Sequence, residues 1–168
     1  TVYNRSAAKA QAWAKEYGGK SASTPKEAAQ GCDFVMMCVG NDNDVRSVVF
    51  GDSGALAGMK KGAILVDHTT ASAVVAREIH AKAKAMGIGF VDAPVSGGQA
   101  GAVNGQLGIM CGGEQADFDK AKPVIVTCDS GSRATRVIEA LKTRGFARVF
   151  NLSGGFGAWQ QAGLPVEK

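Results

Sequence analysis

Short apolar runs separated by amphipathic stretches lay out this chain. Asp33 to Val39 (DFVMMCV) is almost continuously apolar, the pattern of a strand buried on both faces of a parallel sheet. Ala63–Asp67, Phe90–Val95 and Leu107–Cys111 repeat it. Thr1–Asn4 reads as a further strand that stops at a polar turn, followed by an Ala-rich helix to about Tyr17. Helical stretches are expected at Asp44–Phe50, Ser72–Met86 and Glu114–Ala121. Val124–Thr127 is a short apolar strand that ends in Cys128-Asp129-Ser130-Gly131-Ser132-Arg133; a helix pattern follows, then a strand at Arg148–Leu152. Strands alternating with helices predict a three-layer α/β fold with a mostly parallel, doubly wound, Rossmann-like sheet. The 23 glycines cluster at turns and form no low-complexity tract.

Composition narrows the classes. A chain of 168 residues is long enough for one real core, burying roughly 70% of its unfolded surface, so a single composite domain over 1–168 is expected. A hydrophobic fraction of 45% and a charged fraction of 20% are ordinary for a globular protein. The net charge of +4 is mild and its Lys and Arg residues are scattered, which argues against a nucleic-acid partner. No apolar run approaches the ~18 residues of a membrane span, and no signal peptide opens the chain, so neither a membrane partner nor export is expected. Cys32, Cys38, Cys111 and Cys128 lack metal-ligand spacing; reduced thiols in a cytoplasmic protein are the expectation.

The stretch richest in chemistry is Cys128–Arg133. A cysteine at the carboxyl end of a strand, before a glycine-bearing turn and a helix start, faces converging backbone N–H groups. These and the positive helix end favour a thiolate and an anion beside it. Arg133 adds a fixed positive charge, so Asp129, Ser130, Gly131 and Ser132 are the candidate anion loop and a small anion the candidate partner. A persulfide or a phosphocysteine would each need such a cradle; the plainer alternative is a buried strand-end cysteine beside an ordinary turn. The loop, with Arg144-Gly145-Phe146, Ser153-Gly154-Gly155, Ala158-Trp159 and Gly163-Leu164-Pro165, resembles the second half of a rhodanese (sulfurtransferase) domain. That resemblance implies Cys128 and Arg133 as catalytic residues.

The earlier part of the chain resembles another family. Val2-Tyr3-Asn4-Arg5, Cys38-Val39-Gly40-Asn41-Asp42, Gly54-Ala55-Leu56, Val66-Asp67-His68-Thr69-Thr70 and Asp92-Ala93-Pro94-Val95-Ser96-Gly97-Gly98 are similar to the nucleotide-binding domain of β-hydroxyacid dehydrogenases such as 3-hydroxyisobutyrate dehydrogenase. The similarity runs from Thr1 to about Val124. It implies Asn4 and Arg5 beside the adenosine ribose, with Arg5 able to hold an NADP 2′-phosphate. Val39 and Gly40 would line the strand end over the cofactor, Thr69 would approach the nicotinamide, and Ser96, Gly97 and Gly98 would hold the substrate carboxylate. Read without the family, Arg5 is a surface charge, Thr69 a helix cap and Gly97-Gly98 a turn.

The family's first strand, Gly-x-Gly-x-x-Gly loop and first helix would precede Thr1, and its catalytic lysine has no counterpart after Val124. A complete hydride-transfer site is therefore not expected, and no cofactor beyond weakly held NADP. A doubly wound sheet lacking its first strand has a gap between Thr1–Asn4 and Phe34–Val39, which Val124–Thr127 would fill. The resulting expectation is an engineered or recombined chimeric scaffold without an evolved reaction (residues 1–123 dehydrogenase-derived, 124–168 rhodanese-derived), keeping at most persulfide or anion chemistry at Cys128. The alternative is a residual NADP-binding fragment without hydride transfer.

Overall fold

The computed structural model of the chain describes residues 1–121 and the strands Val124–Val126 and Val149–Asn151. The chain divides into two compact units, Thr1–Phe118 and Asp119–Lys168. The first opens with α1 (Ala7–Tyr17), which ends where Gly18 turns into the left-handed region at φ 67°. Next comes α2 (Pro25–Ala29), whose start is written in the sequence: Pro25 occupies the first turn, the Thr24 hydroxyl accepts from Glu27 N, and Glu27 accepts in return from Ser23 N. Then follow β1 (Phe34–Met37), α3 (Asp42–Val49), α4 (Ala55–Gly58), β2 (Ile64–Asp67), α5 (Ala73–Ala85) and β3 (Gly89–Asp92). Five short elements close the unit or lead out of it: β4 (Val95–Ser96), α6 (Gly98–Val103), β5 (Gly108–Ile109), β6 (Gly112–Gly113) and α7 (Gln115–Ala121).

The main sheet runs β1-β2-β3-β6, with the first three strands parallel and β6 antiparallel to β3. This is the Rossmann-like, mostly parallel α/β arrangement that the alternation of elements predicts. Its register aligns Val35, Leu65 and Phe90 across one face. Over that face Val45 and Val49 of α3, Leu56 of α4, and Val75 and Ile79 of α5 complete a packed core. The helices α2 and α4 approach closely because Gly58 has no side chain; a Cβ there would lie 2.1 Å from the Lys26 carbonyl oxygen.

Three strand expectations change. Burial alternates along β1, so Phe34 and Met36 stand 40% and 58% exposed, whereas β2 is buried throughout. The continuous apolar run of β1 thus does not mean burial on both faces. Thr1–Asn4 contributes one parallel bridge, Val2 to Ser21, rather than a full strand. Leu107–Cys111 does not join the parallel sheet: Gly108–Ile109 pairs antiparallel with β4, and the ladder to β3 is made by Gly112–Gly113 instead. Glycines at 105, 108, 112 and 113 break the run into pieces too short for a parallel crossover strand.

In the second unit, β7 (Val124–Val126) and β8 (Val149–Asn151) form a parallel pair in register Val124 to Val149. Both strands stand where their apolar patterns predict. Among the described residues these two strands pair with each other.

Candidate functional site

Parallel strands deliver their carboxyl ends to one edge of the sheet, where α/β folds place ligands. Here that edge is made by Cys38–Gly40 after β1, His68–Thr69 after β2 and Ala93 after β3. Thr69 is 2% exposed, and its hydroxyl accepts a hydrogen bond from Val39 N at 3.0 Å. Its own N–H donates to Asp67 Oδ1 at 2.8 Å. Backbone bonds continue the tie, with His68 N donating to Met37 O and Ala93 N to Asp67 O. His68 Nδ1 lies 2.9 Å from Ala93 O. The ends of three strands are therefore stitched into one platform, and Val39 and Thr69 meet on it.

Gly40 and Arg5 come together through Asp44. Asn41 caps α3, its Oδ1 accepting from the N–H groups of Asn43 and Asp44. This cap sets Asp44 so that its Oδ1 meets Arg5 Nη1 at 3.0 Å and its Oδ2 accepts from Asn41 Nδ2 at 3.1 Å. A Cβ on Gly40 would stand 2.7 Å from the same Oδ2. Asn4 Oδ1 accepts from Ser6 N, closing the turn that carries Arg5. Arg5 itself is 86% exposed, so most of its guanidinium faces water.

The remaining candidates divide in two. Ser96, Gly97 and Gly98 are exposed and follow a separate path: Ser96 pairs with Gly108, and Gly97 O accepts from Gly101 N as α6 begins. Positive φ values of 126° at Gly97 and 58° at Gly98 make that turn one that other residues would strain. Cys128, Asp129, Ser130, Gly131, Ser132 and Arg133 lie outside the described residues.

Charge at the edge is set by burial. The side chains of Asp67 and Asp92 belong to partners in register, and burial raises both carboxyls above their ordinary range; the Thr69 hydrogen bonds oppose the rise at Asp67, and Asp67 adds to it at Asp92. Partial desolvation and the nearby Asp92 push the Cys111 thiol up as well. Among the described residues no cluster of three or more metal-ligating side chains exists. No described helix is long and apolar enough to cross a membrane.

Sequence reasoning missed Asp44, Asn41 and Asp67. For the first two a signal was present, since Asn41-x-x-Asp44 before an apolar-periodic helix is a capping pattern. Its use would have started α3 at Asp42 instead of Asp44. Asp67 stood inside the Val66–Thr70 stretch that carries the family resemblance but received no role there.

These features coincide with a known family. The profile described as the NAD binding domain of 6-phosphogluconate dehydrogenase matches residues 1–143, and the chain belongs to that family. An uncharacterized oxidoreductase of Shewanella frigidimarina is 65% identical over 125 residues, which cover 74% of this chain and 43% of the relative. A 3-hydroxyisobutyrate dehydrogenase-like protein of Arabidopsis thaliana is 46% identical over 110 residues, covering 66% of this chain and 37% of that one. The solved structure of Mycobacterium tuberculosis 3-hydroxyisobutyrate dehydrogenase with L-serine superposes with a TM-score of 0.64 at 26% identity, covering 96% of this chain and 48% of that one. The chain thus spans less than half the length of these relatives. The profile match crosses the junction near Val124, and these relatives are oxidoreductases by name. The dehydrogenase-like part of the sequence reading is supported; its chimeric, rhodanese part gains nothing from them.

Proposed function

We propose that the chain is the NAD(P)-binding portion of a hydroxyacid-dehydrogenase-like oxidoreductase and that it holds NADP in preference to NAD. One observation carries the reading: an exposed Arg5 is steadied by Asp44 beside the Val39–Gly40 strand end, which Thr69 ties to the neighbouring strand. Arg5 spends one nitrogen on Asp44 and offers the rest of a planar, always-charged fork to a phosphate oxygen. Gly40 leaves the backbone bare where a ribose would rest, and Val39 offers an apolar surface to the base side. The residues present therefore suit the adenosine end of a dinucleotide. Ser96-Gly97-Gly98 remain candidates for a substrate carboxylate, on the strength of the family resemblance alone. Hydride transfer is not assigned to these residues.

Titration calorimetry with NADP+ and NAD+ tests the reading. NADP+ should bind the tighter of the two, and Arg5→Ala should abolish the difference while leaving thermal stability unchanged. Absence of binding by either nucleotide at about 1 mM would overturn the reading. A preference that survives Arg5→Ala would remove Arg5 from it.

The sulfurtransferase reading rests on the sequence of Cys128–Arg133 and has no support from the relatives. A thiosulfate:cyanide assay with a Cys128→Ser control decides it.

A further inference from the structure

A cleft of about 420 Å³ opens between α5 and the β3–β6 side of the main sheet. Ala73, Ala76, Arg77 and His80 form one wall, and their spacing of three and four places them on one face of the helix. Phe90 and Asp92, two apart on β3 and so on one face of the strand, form the floor. Across from α5, Gly112 carries no side chain, and a Cβ there would meet no atom within 4 Å. The cleft shares no lining residue with the Val39–Thr69 platform, with Arg5 or with Ser96–Gly98.

The charged groups around the cleft differ in what already engages them. Glu114 Oε1 accepts from Lys84 Nζ at 3.0 Å and lies 3.5 Å from His80 Nε2, so this carboxylate is in use. Arg77 and Asp92 are not. Arg5 pairs with Asp44 and Arg46 with Glu78, whereas the exposed Arg77 has no hydrogen-bond or ion-pair partner among the described residues. The half-buried carboxyl of Asp92 accepts no hydrogen bond among them either, and burial and the neighbouring Asp67 both work against its ionised form. An ammonium brought beside it would offset both. Apart from the Glu114–His80 pair, the other side chains of the lining are apolar: Ala73, Ala76 and the buried Phe90.

A lone anion in this cleft meets the Asp92 carboxylate, and a lone cation meets the Arg77 guanidinium. A molecule that carries both charges can meet each with its opposite. We infer that the cleft binds a small aliphatic amino acid in its zwitterionic form, with the carboxylate on Arg77, the ammonium on Asp92 and the methylene chain over Ala76 and Phe90.

The probe is γ-aminobutyrate, added to the full 168-residue chain, with butyrate and butylammonium as its single-charge counterparts. Two-dimensional NMR follows the Arg77 side-chain Nε–H and the amides of Asp92, Gly112 and Gly113. γ-Aminobutyrate should shift these signals saturably, with half-saturation at about 10 mM or below, and each single-charge counterpart should need about tenfold more. Arg77→Gln should weaken γ-aminobutyrate about tenfold and leave butylammonium no weaker than before. Asp92→Asn should weaken γ-aminobutyrate to a similar degree and leave butyrate no weaker. A merely structural role of either side chain would weaken both ligands of its pair alike. The comparison of the three ligands uses the unaltered protein, so it decides the matter even where a variant fails to fold. Three results would overturn the inference: signals that γ-aminobutyrate leaves unmoved at about 100 mM, a single-charge counterpart that shifts them at the same concentration as γ-aminobutyrate, or a folded variant that binds γ-aminobutyrate as the wild type does.

Discussion

Replacing Thr69 by Val tests whether the strand-end platform is held by its hydroxyl. Thr69 is buried, and its Oγ1 is the acceptor for Val39 N at 3.0 Å. Valine keeps the branched shape and apolar contacts but leaves the Val39 N–H without a partner. An orphaned donor costs about 1–3 kcal/mol when fully buried, and Val39 is half-buried, so about 1–2 kcal/mol is expected. Thr69→Ser makes the complementary change, removing a buried methyl for about 0.8 kcal/mol while keeping the acceptor. In total stability the two variants overlap, but the exchange rate of the Val39 amide separates them. It should rise in Thr69→Val beyond what the global loss explains, and stay near wild type in Thr69→Ser. Urea denaturation gives the stabilities and native-state hydrogen exchange the local rate. If both variants protect Val39 equally, the hydroxyl does not hold the platform and the argument from its geometry fails.

Gly58→Ala should destabilise the first unit by about 2 kcal/mol or more, because the new Cβ would meet the Lys26 carbonyl, a backbone atom that moves only if α2 and α4 separate; urea denaturation measures it. The pH dependence of stability should carry the signature of Asp67. Its folded pKa is raised, so the folded state holds its proton more tightly than the unfolded chain does. The contribution is fully present below the ordinary carboxylate pKa of about 4 and is lost as pH rises through the raised folded value. Asp67→Asn keeps an oxygen to accept from Thr69 N and should flatten this part of the profile; an unchanged profile would mean that burial does not control the group.

The alternation of elements was legible because it depends only on local pattern. The strands at Phe34–Met37 and Ile64–Asp67 lie inside the apolar runs that announce them, and Ser72 caps α5 where the sequence places it. The exposure of Phe34 and Met36 was not legible. An apolar run says that a strand can be buried on both faces, but whether anything covers the second face is a tertiary fact. The short pieces from Val95 to Gly113 were hidden for another reason: a two-residue strand has no period to detect. At the site, the sequence named Arg5, Gly40 and Thr69 but not the side chain that relates the first two. Asp44 acts across 39 positions of sequence, and only folding brings it to Arg5.

The two helix starts nearest the strand ends bear on how a dinucleotide would sit. Pyrophosphate usually rests on the open N–H groups of a helix N-terminus. At α3 those of Asn43 and Asp44 are spent on Asn41, and Asp42 and Asp44 place two carboxylates in the first turn, which repels an anion. At α5, Val75 N is spent on the Ser72 hydroxyl, and the Ser72 N–H and hydroxyl are both spent on Asp42. With the Asp42 carboxylate beside both starts, neither attracts an anion. On the proposed reading, the electrostatic attraction that the described residues offer a nucleotide is concentrated at Arg5. Binding carried by one exposed guanidinium is screened within a Debye length of about 10 Å at 0.1 M salt. The affinity for NADP+ should therefore fall steeply with ionic strength toward that for NAD+, because among the described residues Arg5 is the cation assigned to the charge that distinguishes the two nucleotides.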